Sequence, residues 1–108
     1  MPHFLVRGSY TAEAWAKMIH SPEDREKLYA GLIEKAGGKL KAFYFAFGKD
    51  DVFAIFEAPD ASAAASLAMA VGSVGHLSHF STTSLMTTRE AMDAMKKAGD
   101  LKYRGPKG

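Results

Sequence analysis

Two histidines three residues apart, His76 and His79, close the stretch VGSVGHLSHF at residues 71–80, where Gly72 and Gly75 also stand three apart. Two chemistries suit such a pattern. Paired glycines can cradle a phosphate when they lie between a strand and the start of a helix, with backbone amides aimed at the anion. Here they follow a helical stretch and lead into a strand, so the helix dipole has the wrong sign for an anion. Gly72 and Gly75 therefore read as a helix stop and the turn after it. Histidines three apart on a helix share a face and can hold one metal ion, but on a strand they face opposite ways. The pair reduces to one candidate, His79, unless His76 lies in the turn.

Arg7 is the second candidate. It falls in the middle of an apolar strand, HFLVRGSY, and a charge there needs a partner or water, because an unpaired buried charge costs several kcal/mol. Glu57 can pair with it, or it can hold a small anionic ligand. His79 can line the same cleft, with Tyr44 and Tyr10 as nearby candidates of lower value. A histidine, an arginine and a tyrosine converging on one pocket support proton transfer on a small aromatic or carbonyl substrate. Asp50 and Asp51 are adjacent acids, but neighbours on a strand point to opposite faces and make no acid/base pair. With Lys49, Asp50 reads as a solvated turn tip. His3, His20, His76 and His79 are scattered, and no acid sits beside them at helical spacing, so neither a metal nor another cofactor is expected. The chain has no cysteine, which excludes disulfides, thiolate nucleophiles and cysteine-ligated zinc.

These residues must be positioned by the elements around them. Residues 3–10 alternate loosely and read as a first strand. Thr11 can cap a short helix holding Trp15 and Ile19. Ser21 as cap, Pro22 at the first helical position and Glu23 and Asp24 at the positive dipole end predict a clear helix. Leu28, Leu32, Ile33 and Ala36 form its apolar stripe, and Gly37 and Gly38 its stop. Residues 39–47 and 52–58 are β-prone and are joined by the turn GKDD, which predicts a hairpin. Asp60 caps a helix striped by Ala64, Leu67, Ala68 and Val71. Residues 76–87 read as a fourth strand. A last helix starts at Thr87 or Thr88, buries Ala91, Met92 and Met95, and stops at Gly99.

The order defines an α+β fold, the ferredoxin-like βαββαβ arrangement: a four-stranded antiparallel sheet with helices on one face, plus a C-terminal helix. The hairpin strands are apolar on both faces, although a sheet with one wet face should alternate. Val52, Ala54 and Phe56 point one way, and Phe53 and Ile55 the other. Phe43, Phe45 and Phe47 share one face, and Leu40, Ala42, Tyr44 and Ala46 the opposite one. Helices cover only one side, so a second copy of the sheet is the simplest cover for the other, and a homodimer or larger assembly is expected. Residues 61–75 carry no charge, which fits a short helix whose alanines and serines tolerate exposure or, as the alternative, a second interface.

The chain has 108 residues, 47% hydrophobic and 24% charged, with a net charge of +2, as in an ordinary single globular domain. No apolar run approaches the roughly 20 residues that cross a bilayer, and MPHFLVRGSY does not read as a signal peptide. A cytoplasmic location and no membrane partner are expected. Residues 1–98 form the domain and 99–108 a loose basic tail. From Lys96 onward the bases Lys96, Lys97, Lys102, Arg104 and Lys107 outnumber the single Asp100. The tail has one tyrosine and no folded face, so no nucleic-acid partner is expected.

Three stretches carry a resemblance: GSYT after the first strand, GGKLKAFYFAFGKDDVFAIFEAPD in the middle, and AMAVGSVG at the end of the second main helix. Together, over residues 3–98, they resemble the GYD-domain family of bacterial and archaeal proteins. The resemblance implies a ferredoxin-like fold of the dimeric α/β-barrel type, and no activity, since the family is essentially uncharacterised. The Gly-x-Tyr-Asp motif stands here as Gly48-Lys49-Asp50-Asp51, so nothing assigned to its tyrosine transfers. Gly48 and Asp51 match, with structural roles: glycine for the turn, and aspartate for local backbone amides. The reading is an oligomeric small-ligand-binding or assembly module with a sheet-to-sheet cleft. The alternative is a cofactor-independent oxygenase or isomerase using His79 and Arg7, a fold-level analogy only. The ligand of either would be small and anionic or aromatic.

Overall fold

The computed structural model describes residues 1–107. Strand β1 (His3–Tyr10) is followed by two helices, α1 (Ala12–His20) and α2 (Arg25–Lys35). A hairpin of β2 (Lys39–Phe45) and β3 (Val52–Glu57) comes next. Helix α3 (Ala61–Val74), strand β4 (Leu77–Leu85) and helix α4 (Thr88–Leu101) complete the chain. The four strands form one antiparallel sheet in the order β2-β3-β1-β4. This is the ferredoxin-like α+β arrangement, with α1 as a short addition ahead of the first main helix. No helix among the described residues is long and apolar enough to cross a membrane.

Alternation along β3 explains how the sheet meets its helices. Val52, Ala54 and Phe56 are buried, while Phe53 and Ile55 on the other face are half-covered. Phe4 stacks on Phe56 at 5.6 Å, and Ile33 from α2 and Ala64 and Leu67 from α3 close over them. Phe56 and Ile33 are the largest side chains buried completely. Burying a residue of this size contributes roughly 1.5–3 kcal/mol, so this small cluster anchors both helices to the sheet.

The sheet's other face has no helix on it. β1 gives it His3, Leu5, Arg7 and Ser9; β3 gives it Phe53, Ile55 and Glu57 in register opposite them. β4 adds His79, Ser81, Thr83 and Leu85. One expected assignment fails on this sheet. A register shift between Leu40 and Ala42 sets Leu40 opposite Phe56 and Ala42 opposite Ile55. A β-bulge inserts an extra residue and reverses the alternation behind it. Leu40 therefore shares the helix face with Phe43 and Phe45, while Ala42 and Tyr44 take the open face. Phe47 lies beyond the strand, fully exposed.

Caps account for the helix boundaries. Thr11 caps α1 through the Ala14 amide, and Asp60 caps α3 through the Ala63 amide, as the sequence predicts. Helix α2 starts later than predicted: Asp24, not Ser21, accepts the Lys27 amide at 3.0 Å, and Pro22 lies outside the helix. Gly72 is not the stop of α3, which runs on to Val74; Gly75, at φ 78, ends it with a left-handed residue. Helix α4 begins with a capping box. Thr87 accepts the Glu90 amide at 3.1 Å, and the Glu90 carboxylate accepts the Thr87 amide at 2.9 Å. These bonds hold the Glu90 carboxyl below its usual range. Gly99 does not stop α4, which continues to Leu101 and ends at Lys102 with φ 51. The expected tail at 99–108 thus starts inside a helix; its last residue, Gly108, lies outside the described residues.

Helix α4 buries none of its residues, and Met92 and Met95 are exposed rather than packed. Its predicted stripe exists but is largely exposed, with only Ala91 half-buried. The radius of gyration is 17.4 Å, against about 13 Å for a compact chain of this length.

Candidate functional site

Asp50 organises the open face. Its side chain is only 12% exposed; Oδ1 lies 3.4 Å from His79 Nε2, and Oδ2 lies 4.0 Å from Arg7 Nε. The turn holds it there because the hairpin end is tied to β1: the Asp51 amide donates to the Gly8 carbonyl at 2.8 Å, and Ser9 Oγ donates to the Lys49 carbonyl at 3.0 Å. Asp50 is therefore not the solvated turn tip expected. Nor does Arg7 pair with Glu57, which is engaged instead by His3 at 3.5 Å and Lys41 at 3.7 Å. The reason is distance along β1: Glu57 is in register with His3, and Phe53 with Arg7. Asp50, His79 and Arg7 thus meet on one face. Tyr44 shares the cross-strand row Ser81–Arg7–Phe53–Tyr44 but sits two strands from Arg7. At about 4.8 Å per strand it is roughly 10 Å away, and it is 70% exposed.

Asp51, in the turn just ahead of β3, reaches the α1 side instead. Its Oδ2 accepts the Tyr10 amide at 3.0 Å and the Trp15 indole N–H at 3.3 Å. It bonds a backbone amide as expected, but one from β1 rather than a local one. Tyr10, Trp15 and Phe45 then form an aromatic cluster, with centroids 5.4 to 6.3 Å apart. The matching Gly48 has no left-handed backbone, and a Cβ there would meet nothing, so the turn does not require glycine at this position.

The cluster borders a cavity of about 300 Å³ between the sheet and helices α2 and α3. Its wall is apolar, built from Val6, Val52 and Ala54 of the sheet, Leu32 of α2 and Val71 and Val74 of α3. Its polar lining residues are Tyr10, Tyr29, Arg25 and His76. A second hollow of about 240 Å³ shares Tyr10, Arg25 and His76 and adds Lys17, Ser21 and Glu23. His76 lies in the turn before β4, where its carbonyl accepts the Thr11 amide at 2.9 Å. The two histidines therefore serve opposite sides of the sheet, His76 the cavity and His79 the open face.

Burial dominates the electrostatics here. Tyr29 is pushed up to about 12, by desolvation first and then by the neighbouring Tyr10. Tyr10 is raised too, by desolvation first, with the Arg25 guanidinium opposing. Both hydroxyls stay protonated at neutral pH and can donate hydrogen bonds. Arg25 Nη1 donates to Glu23 Oε1 at 2.9 Å. Sequence reasoning missed this cavity, because its apolar lining residues each read alone as ordinary core and its polar ones lie far apart in the chain. One signal was present: Arg25 opens α2 at the positive end of the dipole, where a cation is disfavoured.

The fold and these sites define a small ferredoxin-like α+β protein with a helix–sheet cavity and an open sheet face. The chain belongs to the GYD domain family, whose model matches residues 4–95. None of the curated proteins matches its sequence. Among solved structures it is similar to MtbAldR (Rv2779c), with a TM-score of 0.58 and 16% identity, over 80% of this chain and 53% of that one. The chain thus spans about half the length of MtbAldR. It is also similar to At3g17210 from Arabidopsis thaliana, with a TM-score of 0.51 and 17% identity, over 82% and 96% of the two chains. At these identities the likeness concerns the fold alone.

Proposed function

We propose that the protein is a small-ligand-binding module whose ligand occupies the cavity between the sheet and helices α2 and α3. One observation carries the reading: a mostly apolar hollow of about 300 Å³, within the usual range for ligand pockets, whose polar residues Tyr10, Arg25 and His76 are shared with the adjoining hollow. This moves the binding site from the sheet-to-sheet cleft expected from sequence to the opposite side of the sheet. Binding of a neutral apolar dye such as Nile red tests it. Fluorescence enhancement is expected with the native protein and not with Val71→Trp, whose ring fills the space. An absence of enhancement with the native protein, or an equal one with a folded Val71→Trp variant, overturns the reading.

The open face supports self-association as the companion reading. Leu5, Phe53 and Ile55 form an apolar centre, with Asp50, Arg7 and His79 at one end and His3, Glu57 and Lys41 at the other. A face with an apolar middle and both charge signs at its ends suits a second copy of itself. The Asp50–His79–Arg7 group then lies at the copy-to-copy boundary as an ionic contact. Light scattering at micromolar concentration should give a dimer or larger, and Ile55→Lys a monomer. A native monomer removes this reading.

A further inference from the structure

We infer that the occupant of the cavity is an amphiphile with an anionic head, carboxylate or phosphate, held by Arg25, and an apolar body seated between α2 and the sheet. This rests on the cavity reading above and adds the class of ligand.

The wall sets the body of the ligand. A volume of about 300 Å³ accommodates roughly ten groups of the size of a water molecule, at about 30 Å³ each. Val6, Leu32, Val52 and Ala54 offer no hydrogen bond, so that part of the ligand is hydrocarbon or an unsubstituted ring.

The charge pattern sets the head. Arg25 is the one charged residue among those lining the inner cavity, and no carboxylate faces it there. Glu23 borders only the outer hollow, together with Lys17. Lys17 is itself bonded to Glu13 at 3.1 Å, on the surface. The Glu23 bond engages Nη1 of Arg25, and a guanidinium carries five N–H donors in a planar fork, so donors remain for a bidentate anion. Tyr10 and Tyr29 add hydroxyl donors beside it, and an anion is the partner that accepts from both kinds of group. A cationic head inside the inner cavity would meet Arg25 with no acid among the lining residues, since Glu23 reaches Arg25 from the outer hollow. The outer hollow, which shares Arg25, Tyr10 and His76 with the inner one, gives the head a route to water.

Displacement of Nile red by a matched series tests the class: decanoate, decyl phosphate, decanol and decylamine, each below the concentration at which it forms micelles. At least one of the two anions should displace the dye at about tenfold lower concentration than decanol. This is the gain expected from a charge-assisted hydrogen bond of about 1.4 kcal/mol or more. Decylamine should be the weakest. The ratio of the two anions then decides between a carboxylate and a phosphate head. In Arg25→Gln the advantage of the anions should vanish while decanol is unchanged. Equal displacement by the anions and decanol overturns the inference and leaves the cavity reading standing. So does an Arg25→Gln variant, folded by circular dichroism, that weakens all four alike. Dye that fails to bind the native protein removes the cavity reading and this inference together.

Discussion

Asp51 accepts the indole N–H of Trp15 at 3.3 Å with the same oxygen that accepts the Tyr10 amide at 3.0 Å. One carboxylate thus joins the hairpin turn, the end of β1 and helix α1. Hydrogen bonds to a charged group contribute about 1.5–3 kcal/mol each, and a buried donor left alone adds its own cost. Asp51→Ala is expected to lower unfolding stability by about 2–4 kcal/mol in urea titration. Asp51→Asn, which keeps an acceptor, should lose less. Trp15 is the single tryptophan, so its emission reports the loss of this bond directly; unchanged emission in Asp51→Ala counts against the tie.

Gly38 and Gly48 should respond differently to alanine. A Cβ on Gly38 collides with the Glu57 carbonyl of β3, whereas one on Gly48 meets nothing. Gly38→Ala must push α2 away from the hairpin and should cost about 1–3 kcal/mol, as overpacking does. Gly48→Ala, in the motif that marks the family, should stay within about 0.5 kcal/mol. Thermal unfolding of the two variants measures the difference, and a large loss in Gly48→Ala would show a conformational demand absent here.

Tyr29 gives the protein an alkaline limit. Its hydroxyl is raised from 10.0 to about 12 in the folded chain. Between those values the unfolded state has released the proton and the folded state still holds it, so stability falls as pH rises. The full contribution is present below pH 10 and is lost progressively through about pH 12. A shift of this size corresponds to about 2–3 kcal/mol. Tyr29→Phe should flatten the stability profile in that window by about this amount, read by urea titration at successive pH values; an unchanged profile would place the alkaline loss elsewhere.

The capping box of α4 should matter locally rather than globally. Removing a cap costs about 0.5–2 kcal/mol of helix stability. Helix α4 buries none of its residues, so Thr87→Ala should unwind it while leaving the sheet intact. Hydrogen exchange is expected to accelerate over residues 88–101 and to stay unchanged in β1 and β3. A parallel acceleration in β1 would mean that α4 is coupled to the core.

The parts legible in the sequence are those set by short periods and local chemistry. Val52, Ala54 and Phe56 alternate strictly, and Asp60 and Thr87 cap by hydrogen bonds to residues three away. Leu40 was not legible, because a bulge changes register without a residue type that announces it. The α2 start was misread because Ser21 and Asp24 are both good caps, and only the fold selects Asp24. Of the residues singled out in advance, Arg7 and His79 do meet, but around Asp50, which the pattern treated as a turn tip. The cavity is the deepest omission. Its lining comes from the sheet, two helices and the turn before β4. A hollow is a property of how surfaces fail to touch, and spacing along one segment does not encode it.

The bulge in β2 has a consequence for the rim of the sheet. With the order β2-β3-β1-β4, the two strands with an unpaired row of backbone groups are β2 and β4. The register shift between Leu40 and Ala42 breaks the regular spacing of donors and acceptors along β2; Lys41 is its unpaired residue and Lys39 precedes it. Bulges and lysines of this kind make a poor template for an arriving strand. The hairpin can therefore carry apolar residues on both of its faces without offering its outer margin to edge-to-edge aggregation.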